Sequence, residues 1–202
     1  MVSPILPNRL LSVGEYLALE EATHLKHEYV RGGVYPMAAV TGRHNRIAIN
    51  IVRTLSSAAE RGPCQIFMSE MMLAAADDVF YYPDVMAVCG AVDLGTTVVR
   101  DPCLVVEVTS PSTARYDKTE KLETYRGIAS LKAYVIVEQA WRRVDRLWRD
   151  ASGEWQHAII ADGAVPIPCP ETQLTLDKIY EGLAPLTVKE LEAIGYAVSP
   201  SA

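Results

Sequence analysis

The sequence predicts an α/β fold in which helices pack on a mixed β-sheet. Strand-sized apolar runs bounded by proline or glycine recur along the chain, as at Pro83–Cys89 and Cys103–Thr109. Segments with apolar residues at helical spacing lie between these runs. The resulting order of helix, hairpin, helix, several strands, helix and further strands is typical of a mixed sheet with helices on it.

The length of 202 residues suits one globular domain with a sizeable core. We therefore predict a single domain over residues 1–202. Its core covers about residues 10–180, and a helical tail follows at about residues 185–198. No internal repeat, low-complexity tract or linker divides the chain.

The N-terminal half contains two predicted helices and a hairpin. Ser12 and Glu15 form a capping box that opens the first helix, because the hydroxyl accepts from a free amide while the carboxylate reaches back. Arg31-Gly32-Gly33 separates two short apolar segments and predicts a hairpin turn, with glycine in the positive φ region. A longer helix is predicted from about Arg43 to Arg61, where Gly62-Pro63 ends it.

The remaining elements follow from the same patterns. The predicted strands are Gln65–Met68, Met71–Ala74, the two acidic runs that begin at Pro83 and Cys103, Ala133–Glu138, and an antiparallel pair at Val144–Arg149 and Trp155–Ile160. A helix is predicted from about Tyr116 to Arg126, before Gly127. A second capping box, Thr187 to Glu190, opens a terminal helix.

Composition and charge exclude some classes of protein. Half of the residues are hydrophobic and 22% are charged, which is too apolar for a disordered chain. The net charge of −6 argues against a protein that coats nucleic acid, because lysine and arginine drive phosphate binding. An enzyme that acts on nucleic acid through a local basic groove remains compatible with this charge.

The sequence also bears on location. No apolar stretch is long enough to span a membrane, and the N-terminus lacks a basic region followed by an apolar one. Cys64, Cys89, Cys103 and Cys169 are scattered without Cys-x-x-Cys spacing. We expect small buried thiols in a reducing, cytoplasmic protein.

Two acidic residues occupy strand-like apolar runs. A carboxylate buried in such a run costs several kcal/mol unless something neutralises it. Alternation along a strand puts Glu107 on one face with Thr109, Val105 and Cys103. If Asp84 faces the same way from an adjacent strand, the two carboxylates could hold one Mg²⁺ or Mn²⁺. Such an ion activates water and stabilises charge on a phosphoryl oxygen, as a hydrolytic nuclease requires.

These residues resemble the PD-(D/E)XK nuclease superfamily, and more closely its Uma-type family of putative restriction endonucleases. The resemblance runs from the first helix to about Tyr180. It rests on an ordered set of motifs: Glu28-Tyr29, Arg43-His44-Asn45-Arg46, Tyr81-Tyr82-Pro83-Asp84-Val85, Val105 to Thr113, Asp117 to Lys121 with Tyr125, and Tyr134 to Val137. The resemblance implies a restriction-endonuclease-like mixed central β-sheet flanked by helices. It also implies a Mg²⁺- or Mn²⁺-dependent endonuclease that cuts DNA, and it is compatible with a homodimer.

The resemblance also implies which residues form the site. Asp84 and Glu107 match the metal-binding acids of the family, and Glu28 matches an acidic residue before the hairpin that often completes the metal site. The superfamily motif places a lysine where this chain has Thr109. That lysine stabilises charge or orients the attacking water.

Family members of this type take the lysine from the following helix, and Lys121 is the best match. Asp117, Lys121 and Tyr125 are spaced four residues apart, so that they share one face of a helix. Lys118 lies off that face and is a weaker candidate. We therefore predict Asp84, Glu107 and Lys121 as catalytic residues, with Glu28 as an additional metal ligand.

Structural roles for the same residues remain open. Asp84 could be a strand-entry residue, and Glu107 could pair with an arginine. Glu28 could be an exposed strand residue, and Lys121 a solvated helix residue.

Two basic segments also allow more than one interpretation. His44 could contact phosphate with Arg43 and Arg46 at a helix N-terminus, or could be a surface histidine. Arg142, Arg143, Arg146 and Arg149 could contact a DNA backbone, or could form a solvated or dimer-facing basic edge.

Two other functions also remain compatible with the sequence. One is a non-catalytic module that binds DNA or protein and has lost the motif lysine. The other is a metal-dependent phosphoesterase acting on RNA or nucleotides.

Overall fold

The computed structural model describes residue 5 and residues 9–110 and 113–196. Residues 111 and 112, before the predicted helix at Tyr116, and residues 197 and 198 of the predicted tail lie outside this part. The described strands are β1 His27–Val30, β2 Gly33–Pro36, β3 Cys64–Met68, β4 Met72–Ala76, β5 Val79–Tyr81, β6 Val85–Cys89, β7 Val98–Val99, β8 Leu104–Thr109, β9 Ala133–Glu138, β10 Val144–Arg149, β11 Trp155–Ile160, β12 Ala164–Pro168 and β13 Glu171–Thr175. The described helices are α1 Val13–Ala22, α2 Gly42–Ala59, α3 Ala114–Tyr116, a π-helical segment Asp117–Lys121, α4 Leu122–Arg126, α5 Leu176–Ile179 and α6 Val188–Ala193.

The strands form three sheets. The largest has the order β11-β10-β9-β8-β6-β3, and the others have the orders β2-β1-β5-β4-β7 and β12-β13. In the six-stranded sheet β8 and β9 run parallel and the other pairs run antiparallel. The predicted mixed sheet with helices packed on it is confirmed.

Helix α2 covers one face of the six-stranded sheet. Thr41 caps the helix by accepting from the amide of His44. Ile47, Ile51 and Leu55 recur at helical spacing, are fully buried, and pack in one cluster with sheet residues such as Val106 and Val135. Burying a side chain of this size stabilises the fold by roughly 1.5–3 kcal/mol, so this face holds α2 against the strands that carry the site.

The other face of the same sheet is rich in tyrosine. Tyr81, Tyr116, Tyr125 and Tyr134 contact one another edge to face, with ring centroids 4.9–6.3 Å apart. They belong to a cluster that includes Val105. Edge-to-face geometry is favourable for aromatic pairs, and hydroxyl groups within an otherwise apolar layer can hold buried charges.

Most locally encoded elements agree with the sequence predictions. Both capping boxes are present, at α1 and at α6. The β1–β2 hairpin forms, but its positive φ angles fall on Arg31 (49°) and Gly32 (97°), whereas Gly33 already pairs in β2. The predicted antiparallel pair is confirmed as β10 and β11.

Other elements differ from the predictions. Strand β5, the two-residue strand β7, the β12–β13 hairpin and α5 were not predicted. The predicted helix from Tyr116 to Arg126 is interrupted, because residues Asp117–Lys121 adopt a π-helical turn between two short α-helices. Such turns often occur at functional positions in helices.

The prediction for Cys103 and its strand face was wrong. Strand β8 begins one residue later, at Leu104, and Cys103 packs in the same cluster as Val106, opposite the face of Val105 and Glu107.

The prediction of separate buried thiols was also wrong. Cys64 is disulfide-bonded to Cys89, and Cys103 to Cys169. The bonded cysteines are 25 and 66 residues apart in sequence, so no local sequence pattern could identify the pairs.

Within residues 9–110 and 113–196, the structure contains no helix that is both long and apolar enough to cross a membrane.

Candidate active site

The two candidate acids face each other across neighbouring strands. Strand β6 pairs antiparallel with β8, and Val85 lies opposite Val106. The next position in this register places Asp84, which directly precedes β6, opposite Glu107. The backbone amide of Asp84 donates to Glu107 Oε2 at 3.4 Å. Asp84 and Glu107 therefore lie close together on adjacent strands, as a shared metal ion would require.

Asp84 is held by two donors from different elements. Its Oδ2 accepts from the Val108 amide at 2.7 Å. The same oxygen lies 3.2 Å from Nε2 of His44, which belongs to the first turn of α2. Burial lowers the pKa of His44, but the hydrogen bond to Asp84 and its charge outweigh this effect, and the net pKa is raised. His44 therefore orients Asp84, and its protonated form, which this pKa shift favours, neutralises part of the charge of Asp84.

Glu107 is almost completely buried, at 4% exposure. Its Oε1 accepts from Lys121 Nζ at 2.9 Å and from the Tyr125 hydroxyl at 3.0 Å. Burial raises the pKa of Glu107 to about 8, against the opposing attraction of Lys121 and with a further upward contribution from Asp84. The positive charge of Lys121 therefore does not fully compensate the negative charge of the carboxylates around it.

Lys121 is the cation at the centre of this cluster. Its Nζ lies 2.8 Å from Glu28 Oε1 and 2.9 Å from Glu107 Oε1, and 3.8 Å from Asp117 Oδ1. The ammonium also lies 5.2 Å from the ring centroid of Tyr81, within the range of a cation–π contact. Burial alone would lower the pKa of Lys121, but attraction to Glu107 and Glu28 raises it well above its ordinary value.

The π-helical segment positions two of these groups. Asp117 and Lys121 are its first and last residues, and both are buried. The Tyr134 hydroxyl donates to the Asp117 carbonyl at 3.1 Å and ties the segment to β9. Burial raises the pKa of Asp117 to about 6, again against the attraction of Lys121. Asp117 is thus a fourth acid of the cluster, and its four-residue spacing from Lys121 was the signal in the sequence.

These groups line one cavity of about 590 Å³. Its charged lining residues are Glu28, His44, Asp84, Glu107, Asp117 and Lys121. Four carboxyl groups therefore face one lysine and one histidine. Other parts of the wall come from the segment after β2 and from Ile194 and Gly195 near the end of the described chain.

The donor set of the cavity fits a hard divalent cation. Carboxylate oxygens are the ligands that Mg²⁺ and Mn²⁺ prefer, and Mg²⁺ commonly uses only one or two of them together with water and substrate phosphate. Asp84 and Glu107 can supply these two ligands, and the cluster has an excess of negative charge. Glu28 does not complete a preformed three-acid set, because Lys121 lies between Glu28 and Glu107.

The structure separates the two candidate lysines. Lys118 points to a different cluster, with its Nζ 2.7 Å from Glu138 and 3.4 Å from Asp145. Thr109, at the position of the motif lysine, is fully buried and donates to Glu138 at 2.8 Å. Lys121 is therefore the candidate that reaches Glu107.

One of the two interpretations of His44 was wrong. The side chain is 6% exposed and faces Asp84, so it is not a surface histidine. His44 lines the cavity, and its contact with a phosphate stays a prediction. Arg43 donates to the carbonyls of Gln139 and Ala184. A pattern of polar residues at a helix N-terminus could not show that His44 turns inward.

The four arginines at positions 142, 143, 146 and 149 do not form a basic sheet edge. Its strand, β10, lies inside the sheet between β9 and β11. Arg146 stacks on Trp148, with 4.0 Å from the guanidinium carbon to the ring centroid. Arg149 donates to three backbone carbonyls, and Arg142 pairs with Asp177. These three arginines thus have partners within the chain, and a contact of any of the four with a DNA backbone stays a prediction.

Comparison with known proteins assigns the chain to a family. The model of the Uma2 family, described as "Putative restriction endonuclease", matches residues 13–180. The chain belongs to the Uma2 family. The match includes every candidate site residue described above and ends at Tyr180, where the sequence resemblance was also expected to end.

Similar proteins occur in cyanobacteria. Two chains from Synechocystis sp., described as uncharacterized proteins sll1609 and slr1290, are 32% and 31% identical to this one. Their matches cover 73% and 90% of this chain and 85% and 97% of theirs. A crystal structure from Anabaena variabilis, titled as a putative nuclease belonging to DUF820, superposes with a TM-score of 0.70 at 16% identity, over 84% of this chain and 97% of that one. This last likeness shows a shared nuclease-like fold.

Proposed function

We propose that this Uma2-family chain is a divalent-metal-dependent endonuclease that hydrolyses phosphodiester bonds in DNA. The main support is the meeting of Asp84, Glu107 and Lys121 in one cavity. The three residues come from separate parts of the chain, and Lys121 supplies the cation that the motif lacks at Thr109.

Asp84 and Glu107 would hold Mg²⁺ or Mn²⁺, with Glu28 as a further acid on the far side of Lys121. The bound ion would lower the pKa of a water molecule and stabilise negative charge on a phosphoryl oxygen. Metal binding requires an ionised Glu107. Because the pKa of Glu107 is raised to about 8, the carboxyl group holds a proton at lower pH, and the bound ion must displace it.

Lys121 would act as a fixed positive charge at the reacting phosphate or its attacking water. Despite burial, attraction to Glu107 and Glu28 raises its pKa well above the ordinary value, so we assign it as a positively charged donor and not as a general base. A preorganised cation of this kind stabilises charge that develops in the transition state. Tyr125 and His44 are positioning residues, because they hold Glu107 and Asp84 through hydrogen bonds and need not touch DNA.

A second candidate function is a non-catalytic module that binds DNA or protein. The observation in its favour is that Lys121 already contacts Glu28 and Glu107, so part of the acidic cluster is neutralised without a metal. A single-domain organisation, homodimerisation and a cytoplasmic location remain predictions for either function.

The deciding experiment is cleavage of supercoiled and linear DNA with Mg²⁺, with Mn²⁺ and with a chelator. Asp84→Asn, Glu107→Gln and Lys121→Met are tested beside Lys118→Met, a matched lysine variant outside the cavity. We expect metal-dependent cutting that falls on the order of a hundredfold or more in the first three variants and stays near wild type in the fourth.

Other outcomes lead to other conclusions. Cutting that survives Lys121→Met but is lost in both acid variants would keep the nuclease and remove the role of Lys121. A folded wild type that binds Mn²⁺ and cuts no DNA would favour the non-catalytic module. Cleavage of an RNA panel in the same assay, without cleavage of DNA, would point to a ribonuclease.

A further inference from the structure

All four cysteines of the chain meet in one cluster. Cys64 begins β3, and Cys89 ends β6 directly opposite it. Cys103 precedes β8, and Cys169 lies in the connection between β12 and β13. The cluster thus joins the six-stranded sheet to the separate β12–β13 hairpin.

Sulfur atoms of different disulfides lie closer to one another than two independent disulfides require. Cys89 Sγ lies 3.0 Å from Cys169 Sγ and 3.4 Å from Cys103 Sγ, although each of these belongs to the other disulfide. The sulfurs of Cys64, Cys89 and Cys169 all lie within 4.8 Å of one another. Cys103 stands next to this group of three, beside Cys89 and bonded to Cys169.

Once both disulfides are reduced, the four sulfurs need only small shifts to reach the spacing of a tetrahedral thiolate site. Zinc binds four cysteine sulfurs at about 2.3 Å each, which places the sulfurs roughly 3.8 Å apart. Soft thiolate ligands select Zn²⁺ over the hard cations that the carboxylate cavity suits. In the described part of the chain, Cys64, Cys89 and Cys169 are the only group of three or more His, Cys, Asp and Glu side chains whose ligand atoms converge this closely.

We propose that the four cysteines form a structural Zn²⁺ site when the chain is reduced. Two equivalents of a dithiol reductant supply four electrons and four protons, break both S–S bonds and leave four thiols. Binding of Zn²⁺ then releases four protons and forms four S–Zn bonds. The disulfide and zinc states are mutually exclusive, because both use the same sulfur atoms.

The burial of the cysteines is compatible with the charge of such a site. Four thiolates and one Zn²⁺ carry a net charge of −2. Cys103 and Cys169 are buried in the core cluster, whereas Cys64 and Cys89 are partly exposed at its rim. Water therefore reaches one side of the site and solvates part of that charge.

The zinc site is separate from the carboxylate cavity and does not depend on the proposed nuclease activity. Cys89 lies five positions after Asp84 along strand β6, a distance of about 17 Å. Zinc would stabilise the fold by holding the β12–β13 hairpin against the sheet, since metal bound only by the folded chain adds its binding energy to folding.

The test uses the full chain, reduced, stripped of metal and titrated with Co²⁺ as a spectroscopic probe. Thiolate-to-cobalt charge-transfer bands and intense tetrahedral d–d bands should saturate at about one Co²⁺ per chain and disappear when Zn²⁺ displaces the probe. Chain oxidised to two disulfides should show none of these bands.

Variants separate this site from the acidic cavity. Cys64→Ser, Cys103→Ser and Cys169→Ser should each weaken Co²⁺ binding on the order of tenfold or more, whereas Asp84→Asn should leave the bands unchanged. A reduced, folded wild type with four titratable thiols and no charge-transfer band would overturn the proposal, even if a serine variant failed to fold. Bands that persist unchanged in all three serine variants would overturn it as well.

Discussion

Replacing Lys121 with methionine tests the electrostatic account of the cavity most directly. Methionine keeps much of the length and the apolar contacts of lysine but removes the charge. The ammonium contacts Glu28 and Glu107 at 2.8 and 2.9 Å and is buried with them. Removing one partner of a buried ion pair typically destabilises a protein by about 3–5 kcal/mol, because an uncompensated charge remains.

The loss should depend on pH, because Glu107 can take up a proton. Its ordinary pKa of 4.5 is raised to about 8 in the folded chain. At pH 9 the wild-type Glu107 carboxylate is ionised, and Lys121→Met should cost about 3–5 kcal/mol. At pH 6 Glu107 is already protonated in the wild type, so the loss should be smaller, and what remains comes from the contact of Lys121 with Glu28.

Urea unfolding followed by tryptophan fluorescence measures both losses, in metal-free buffer at pH 6 and pH 9 with the disulfides kept intact. Lys118→Met is the matched control. Lys118 is about one-third exposed, and its partners Glu138 and Asp145 keep other donors. We expect about 1 kcal/mol or less for this control at either pH. Equal losses for Lys121→Met at pH 6 and pH 9 would refute the assignment of Glu107 as a proton-binding group.

Three further predictions concern the neighbours of this lysine. Between pH 4.5 and about 8 the folded chain binds a proton at Glu107 that the unfolded chain releases. The free energy of unfolding without metal should therefore fall by a few kcal/mol as the pH rises through this range. Glu107→Gln should flatten the curve of unfolding free energy against pH, and an unchanged slope would contradict the raised pKa. Tyr125→Phe leaves Glu107 with one donor fewer and should cost about 1–2 kcal/mol in urea unfolding; no measurable loss would mean that this hydrogen bond is not formed in solution. His44→Gln should weaken Mn²⁺ binding, measured by titration calorimetry, on the order of tenfold by releasing Asp84; unchanged affinity would exclude His44 as a positioning residue.

The sequence predicted elements whose signals are local. Ser12 and Thr187 cap their helices as expected, and the β10–β11 pair follows from two alternating runs around one turn. The β12–β13 hairpin escaped prediction because prolines at 166, 168 and 170 interrupt its strand pattern. Such prolines are tolerated at edges, where a missing amide leaves no bond unmade.

The candidate site was predictable in composition but not in geometry. A costly buried carboxylate could be inferred at Glu107 from its apolar neighbours alone. Its distance from Asp84 depends on the register of β6 against β8, which no local pattern fixes. The inward turn of His44 and the meeting of the four cysteines depend in the same way on contacts between distant parts of the chain.

The walls of the cavity differ in how firmly they are held. Asp84 and Glu107 are anchored by strands with fully buried residues, whereas Leu191 is the only buried residue of α6, the helix that leads to Ile194 and Gly195. Few buried contacts mean a low free energy of local opening. We therefore expect amide hydrogens of α6 to exchange with solvent much faster than those of β8. Displacement of α6 would then widen the cavity, while the spacing of Asp84 and Glu107 stays fixed.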